Sequence, residues 1–380
     1  MRVIRGTNEV KIRASIRALA FFGGGSGGHL YPGLAVAERA RELFPECRIV
    51  FFRTRRKVEE RVFADYGFET RTMDVDRPAP SPVGWLRYSM QSARAIQEIR
   101  EALRDGFDAG FGLGGYPSLP GIIAARQEGV PVVLLEQNQV PGKVNRILAP
   151  FVSAVSCPND QAAVHLRGRR AVTGNPVRRD VRDAAFRRRR WFGASTFSSR
   201  KRRVLVCGGS QGAHGINQAV VDALDLLESY RDRVAFLHIS GDGDLEKVAH
   251  AYCSRTWEAD VRPFVKDLPF EMANSDLVIA RSGGTTLAEL AVLGVPAVLV
   301  PYPHHRDQHQ LRNAELLVDV GGARLIPESE LCGASLRGVF EEVLFAPERL
   351  LEMEDAARSI ARPEAADAVL DLVLELTGSA

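Results

Sequence analysis

The feature that most limits what this chain can fold into is a pattern it uses twice. The apolar run Ile16–Phe22 leads into Gly23-Gly24-Gly25-Ser26-Gly27-Gly28-His29, and an amphipathic stretch opens at Leu30. Val204-Leu205-Val206-Cys207 leads into Gly208-Gly209-Ser210-Gln211-Gly212-Ala213-His214, and a second amphipathic stretch follows from Ile216. A short apolar run bounded by glycine suits a strand buried on both faces, as in a parallel sheet covered by helices. A glycine turn into a helix leaves backbone N–H groups free at the positive end of the helix dipole, a place for an anion. The echo implies an α/β protein of two Rossmann-like domains facing each other across a cleft, and 380 residues are long for a single core.

A third turn of this kind lies between Asp276 and Asn313. Leu277–Ala280 is a short buried strand, Ser282, Gly283 and Gly284 turn the chain, and Thr285 or Thr286 can cap the helix that follows. Glu289 sits about one turn into that helix, where a carboxylate suits a ribose diol better than a phosphate. Pro296–Val300 is a further strand, ending in the polar run His304–Gln310. Ligands of open α/β sheets bind outside the carboxyl ends of the strands, where both clusters fall. The competing account is two ordinary strand-to-helix turns with solvated tips.

Other segments carry candidates in chain order. The second strand, Arg48–Phe52, ends in Arg53-Thr54-Arg55-Arg56 rather than the acid that holds a dinucleotide ribose, which weakens an NAD assignment and leaves NADP open. His29 stands at a helix entrance beside a phosphate-type loop, as a catalyst or as a structural donor. Asp74–Tyr88 reads as a proline-broken loop in which Trp85, Leu86 and Tyr88 lie beside Arg77 and Arg87. That patch suits an anionic membrane surface, or else it packs on a helix over Gln91–Leu103. Gly114-Gly115-Tyr116-Pro117 is another glycine turn, and Glu136-Gln137-Asn138 ends the strand Val130–Leu135 at the cleft or caps it. Asn175-Pro176 marks a hinge. Arg187–Arg190 with Ser195–Arg203 reads as a solvated linker, Arg262–Val265 as an extended segment able to read a flat base edge, and Pro363–Leu376 as one amphipathic helix.

Composition removes several classes. A net charge of +3 is too small to argue for nucleic acid. The five cysteines are odd in number and contain no Cys-x-x-Cys pair, so neither a disulfide framework nor a zinc site is indicated. No run reaches the roughly 18 apolar residues of a membrane span. Met1–Ser15 lacks the apolar stretch of a signal peptide and reads as a disordered basic arm or a start placed too early. P-loop and His-Glu-x-x-His motifs are absent from the sequence, no Asp-x-Asp is read as a metal box, and no serine elbow convinces. Two glycine-loop halves and a carboxylate poised for a ribose describe a nucleotide-sugar enzyme. Its diphosphate leaving group would be stabilised by helix dipole, backbone N–H groups and Arg178 in place of a metal, with Asp307–Gln310 on sugar hydroxyls.

Seven separated motifs then carry a resemblance over about Ile16 to Val373. They are the glycine loop of residues 23–32, Gly-Gly-Tyr-Pro (114–117), Glu-Gln-Asn (136–138), Gly-Asn-Pro-Val-Arg (174–178), Gly-Gly-Ser-Gln-Gly (208–212), Arg-Ser-Gly-Gly-Thr-Thr-Leu-Ala-Glu (281–289) and Asp-Gln-His-Gln-x-x-Asn-Ala (307–314). In this order they resemble the MurG family of glycosyltransferases. The resemblance implies a GT-B fold and an inverting, metal-independent, cofactor-free hexosyl transfer from UDP-N-acetylglucosamine to the muramoyl 4-hydroxyl of lipid I (undecaprenyl-diphospho-muramoylpentapeptide). The enzyme would be peripheral, on the cytoplasmic face of the inner membrane, with the patch near Trp85 touching the lipid. Arg178 and Ser210 would meet the donor diphosphate, Val265 uracil, Glu289 ribose, and Gln310 with Asn138 the sugar, while Gly284, Thr285, Thr286, Leu287 and Ala288 would line the donor site. Ser26, Gly27 and Gly28 would face the acceptor diphosphate, with His29 as base and Glu136 as the alternative. Residues 1–15 would be a leader, 16–178 the acceptor domain, 179–361 the donor domain, and a helix over about 362–380 would cross back to the first domain. The chain departs from the family in its longer leader, in Ser26 where threonine is common, and in His309 before Gln310. Rivals are a transferase making a diacylglycerol glycolipid, a UDP-N-acetylglucosamine 2-epimerase, and an inactive nucleotide-sugar-binding scaffold.

Overall fold

Two parallel sheets, each covered by helices on both faces, make up the molecule. The computed structural model describes residues 16–25, 27–75, 77–191, 201–209, 212–305 and 307–378. Seven strands form the first sheet: β1 (Ala18–Phe22), β2 (Arg48–Arg53), β3 (Glu69–Thr72), β4 (Ala109–Gly112), β5 (Val132–Leu135), β6 (Ala154–Cys157) and β7 (Arg170–Val172). Their spatial order is β3-β2-β1-β4-β5-β6-β7. Six form the second: β8 (Arg202–Cys207), β9 (Val234–Ile239), β10 (Ala259–Arg262), β11 (Leu277–Ala280), β12 (Ala297–Leu299) and β13 (Ala323–Leu325), in the order β10-β9-β8-β11-β12-β13.

Register follows from the apolar runs. Phe21 pairs with Phe51 on one side and Phe111 on the other, and the three rings stack at 4.5 and 4.6 Å. The alternate residues Phe22 and Phe52 point to the opposite face and pack with Ile99 and Leu134. Both faces are dry, as a parallel sheet requires. The helix Ala365–Leu376 follows the second sheet in sequence yet buries Val369, Leu370 and Val373 in the Phe21 face of the first. Arg39 on the helix Gly27–Leu43 donates to Asp367 at 2.8 Å, so this helix closes one face of the first sheet.

Two segments differ from the sequence expectation. Asp74–Tyr88 is not all loop, because a helix runs from Pro82 to Leu103 and carries Trp85, Leu86 and Tyr88. Pro82 stands in its first turn, where a missing N–H costs nothing, and the Ser81 hydroxyl accepts from Gly84 N at 3.1 Å. Tyr88 is buried and gives its hydroxyl to the Tyr116 carbonyl, while Val83, Trp85, Leu86 and Met90 remain exposed. Nor are the linker arginines all solvated. Arg187–Arg190 lie in the helix Arg179–Trp191, and Arg188 is fully buried, donating to the carbonyls of Ala273 and Ser275 and to Glu354. Removing one partner of such a buried pair costs about 3–5 kcal/mol, so this arginine fastens the helix Arg179–Trp191 onto the second sheet's domain. Arg202 likewise begins β8 and is buried.

Candidate active site

The cleft is built where each strand order reverses. β1 lies between β2 and β4, and β8 between β9 and β11, so the turns after β1, β4, β8 and β11 all open onto the seam between the sheets. Gly23, Gly24 and Gly25 have φ of +96°, +144° and +90°, which only glycine adopts without strain. A buried carboxylate moulds this loop, since Glu59 accepts from Gly25 N at 2.6 Å and from Thr54 N and Oγ1 at 2.7 Å each. The end of β2, where a dinucleotide fold would keep its ribose acid, is thus committed to holding the loop.

The two domains touch at this seam. Pro32 lies inside the helix Gly27–Leu43 and lacks the N–H that would otherwise bond the Gly28 carbonyl four residues back. Thr285 reaches that carbonyl from the other domain, donating at 2.9 Å. Thr285 therefore does not cap its helix, which starts at Gly284 behind Gly283 with no side-chain cap. A Cβ on Gly284 would stand 2.1 Å from the Gln137 carbonyl, so glycine permits the close approach. Asn313 adds a third bridge, accepting from Gln139 N at 2.8 Å and donating to Asn138 Oδ1 at 3.0 Å.

Two cavities meet along the seam. The larger, about 610 Å³, is lined by Gly27, Gly28, His29, Asn138, Arg178, Val265, Gly284, Thr285, Thr286, Glu289 and Gln310 among others. Sequence candidates from both halves of the chain are thus brought together. Leu287 and Ala288 are not among them, because the helix turns them into a separate cavity of about 250 Å³ behind the seam. Ser26 and Ser210 lie outside the described residues, as does the leader 1–15. The second cavity, about 430 Å³, lies wholly in the first domain and is lined by Gly24, Gly25, Arg56, Arg77, Lys143 and Glu136 among others. His29, Asn138 and Gly142 line both spaces.

Arg178 and Glu289 are both buried, and the guanidinium donates to the carboxylate at 3.2 Å. Arg178 also meets Asp180 at 3.1 Å and lies 4.1 Å over the Tyr31 ring. Burial opposes its charge, but Glu289 and Asp180 more than offset this and its pKa is raised. Burial pushes the Glu289 carboxyl up, and the arginine beside it offsets part of that rise. Arg281 at the same rim is held by Glu328 at 2.6 Å. Gln310 accepts from Tyr302 N at 2.9 Å, and His309 Nδ1 lies 2.8 Å from Asp307. Burial pushes the Cys207 thiol up to about 12, which removes it as a nucleophile.

Burial holds the His29 imidazole below its ordinary value against a hydrogen bond with the Gly24 backbone, and the nearby charges of His309 and Arg56 push it further down. His29 is therefore a neutral imidazole at the mouth between the two cavities. Glu136 is differently placed. Its Oε1 accepts from Gln137 N, Asn138 N and Asn138 Nδ2 at 3.0, 2.9 and 3.2 Å, and its Oε2 from Gly142 N and Asn145 Nδ2 at 3.1 and 2.7 Å. Five donors occupy its lone pairs, although burial still raises its pKa. Sequence reasoning gave no role to Tyr31, Glu59 or Asn313. Tyr31 and Asn313 carried a signal, as members of the motifs of residues 23–32 and 307–314, and Glu59 carried none.

Two facing parallel-sheet domains with glycine turns at the seam make a GT-B fold, and comparison with known proteins places it among the glycosyltransferases. Family models agree, as residues 19–157 match the glycosyltransferase family 28 N-terminal domain and residues 203–369 its C-terminal domain. The chain is 37% identical over 357 residues, 93% of its length and 91% of the relative's, to the UDP-N-acetylglucosamine–N-acetylmuramyl-(pentapeptide) pyrophosphoryl-undecaprenol N-acetylglucosamine transferase of Myxococcus xanthus. It superposes on MurG of Acinetobacter baumannii with a TM-score of 0.72 at 28% identity, covering 94% of this chain and 99% of that one. The UDP-GlcNAc 2-epimerase of Neisseria meningitidis gives 0.67 at 14% identity over 95% and 100% of the two chains, a likeness of fold alone. The chain belongs to the MurG family of glycosyltransferases.

Proposed function

We propose that this chain transfers N-acetylglucosamine from UDP-N-acetylglucosamine to the muramoyl 4-hydroxyl of lipid I, giving lipid II. One observation carries the mechanism: His29 stands where a cavity spanning both domains meets a cationic cavity of the first domain, and burial lowers its pKa. The donor occupies the larger space. Its diphosphate lies at the N-terminus of the helix Gly284–Leu293 and near Arg178, its ribose near Glu289, its uracil against the backbone at Val265, and its sugar near Gln310 and Asn138. The acceptor diphosphate lies in the smaller space, which Arg56, Arg77 and Lys143 make cationic.

As the acceptor oxygen bonds to C1 of the sugar, the C1–O bond to UDP breaks and the hydroxyl proton passes to His29, with inversion at C1. The electron pair leaves on the diphosphate, whose charge Arg178 and the helix N-terminus offset. The five donors on Glu136 leave proton transfer to His29 and give the carboxylate the task of holding the loop 136–142. Residues 16–178 with the helix Ala365–Leu376 serve as the acceptor domain and 179–361 as the donor domain. Among the described residues no helix is long and apolar enough to cross a membrane. Contact with the cytoplasmic face of the inner membrane falls to Val83, Trp85, Leu86 and Met90, exposed on the helix that also packs Trp85 against Tyr116 of the acceptor cavity.

The test is transfer of labelled sugar from UDP-N-acetylglucosamine to a short-chain lipid I analogue in the presence of chelator, with diacylglycerol in parallel. Labelled lipid II analogue alone supports the proposal. Product only on diacylglycerol assigns the chain to glycolipid synthesis, and no product on either acceptor overturns the transferase reading.

A further inference from the structure

A continuous path of buried and part-buried hydrogen bonds crosses from the helix that carries Gln310 to the cavity assigned to the acceptor. The Ser282 hydroxyl donates to the Gln310 carbonyl at 2.8 Å. The Ser282 carbonyl accepts from Asn313 Nδ2 at 3.2 Å, so the β11 turn and the helix His309–Asp319 are clamped together. The same amide then leaves its own domain, giving Nδ2 to Asn138 Oδ1 at 3.0 Å and taking the Gln139 N–H on Oδ1 at 2.8 Å. Asn138 passes its own Nδ2 to Glu136, whose second oxygen holds Gly142 N and Asn145 Nδ2. Gly142 and Asn145 line the second cavity.

Asn313 is 1% exposed, and all three of its bonds use the amide in one orientation, with oxygen toward a donor and nitrogen toward two acceptors. Aspartate has the shape but would set an anion against two oxygens and leave the Glu136–Asn138 end repelled. Apolar side chains would leave a backbone N–H and two carbonyl-type oxygens without these partners. Thr285 and Asn313 both reach across the seam from the second domain, and Asn313 is the one that leads on to the acceptor-side loop.

We infer that Asn313 is a positioning residue: its amide ties the conformation of the loop 136–142, and hence the acceptor-side cavity, to contact between the two domains. The inference rests on the proposed transferase reading for its kinetic consequence but not for its structural one. In this scheme the donor meets Asn138 only through its sugar and does not touch Gln139 N or Glu136, so the residue leaves affinity for UDP itself unchanged and acts on acceptor use at saturating donor.

The experiment compares wild type with Asn313→Ala and Asn313→Asp in the full chain. Calorimetry with UDP reads the donor side, steady-state transfer to the lipid I analogue at saturating donor reads the acceptor side, and amide exchange of the segment 137–142 reads the latch. Both variants are expected to keep UDP binding, to lose about 100-fold in kcat/KM for the acceptor as a misplaced reacting group does, and to exchange that segment faster while β5 is unchanged. Restoration of transfer by Asn313→Asp would overturn the inference, as would unchanged acceptor kinetics. So would a parallel loss of UDP binding and global stability, which marks a merely structural residue. If wild type transfers nothing to lipid I, the function fails, and the exchange comparison still decides the latch: equal rates in wild type and variants refute it.

Discussion

Replacing Glu136 by glutamine separates a base from a loop-holding carboxylate. In wild type the carboxylate takes three backbone N–H groups (Gln137, Asn138 and Gly142) and the amides of Asn138 and Asn145. Glutamine keeps Oε1 and its three donors but turns an NH₂ toward Gly142 and Asn145. Asn145 can rotate its amide to meet it, since its Oδ1 makes no hydrogen bond among the described residues, but the rotation gives up its 3.3 Å bond to the Leu135 carbonyl. One backbone donor, Gly142 N, then stays unpaired, and the charge assistance of the remaining bonds is lost. At about 1–3 kcal/mol for a stranded buried donor, Glu136→Gln should cost roughly 2 kcal/mol. That corresponds to a fall of about 4–8 °C in the melting temperature of a domain this size. Glu136→Ala strands all three backbone donors and should cost more. The assays are thermal unfolding followed through the first domain and transfer at saturating donor. The account expects a lower melting temperature for Glu136→Gln, with kcat reduced less than about tenfold. A general base contributes about 10²–10⁴-fold. A loss of that size with an unchanged melting temperature would refute the reasoning and make Glu136 the base.

Three further outcomes follow from the same geometry. Because burial holds His29 below 6.5, its base form persists into mildly acid solution, so kcat/KM should fall only as pH drops below that value, and His29→Gln should lose about 10²–10⁴-fold and show no acid limb in a pH–rate series. His238 is buried between Tyr252 and Asn217, and burial holds it at about 4. Its unfolded form binds the proton first, so stability is complete above about pH 6.5 and declines by about 3 kcal/mol on the way down to pH 4; His238→Gln should flatten that slope in denaturant titrations at several pH values. Val83→Asp with Leu86→Asp should abolish co-sedimentation with anionic vesicles while leaving UDP binding intact, because both side chains are exposed and far from the nucleotide space.

What could be read from residues alone follows the range of the physics. Apolar runs and glycine turns are local, so the two sheets and their facing turns were legible from Phe22-Gly23 and Cys207-Gly208. The start of the helix at Pro82 was not, because three prolines in Pro78–Pro82 read as a breaker although the last is tolerated in a first turn. The burial of Arg188 was hidden within a run of like charges, and its acid, Glu354, lies 166 residues away. The same distance problem hid the pairing of Arg178 with Glu289, each of which was legible as a ligand contact but not as the other's partner. Thr285 was legible as a helix-start hydroxyl, but its target depends on Pro32 freeing a carbonyl 257 residues away.

The central claim is that sugar moves across the seam at His29 from one cavity to the other, and the linkage in the product tests it most directly. The donor sugar is α-linked to UDP, so inversion predicts a single product by NMR, β-linked N-acetylglucosamine on the muramoyl 4-hydroxyl. An α-linkage, attachment at another hydroxyl, or release of the epimerised free sugar with UDP and no lipid product would contradict the account.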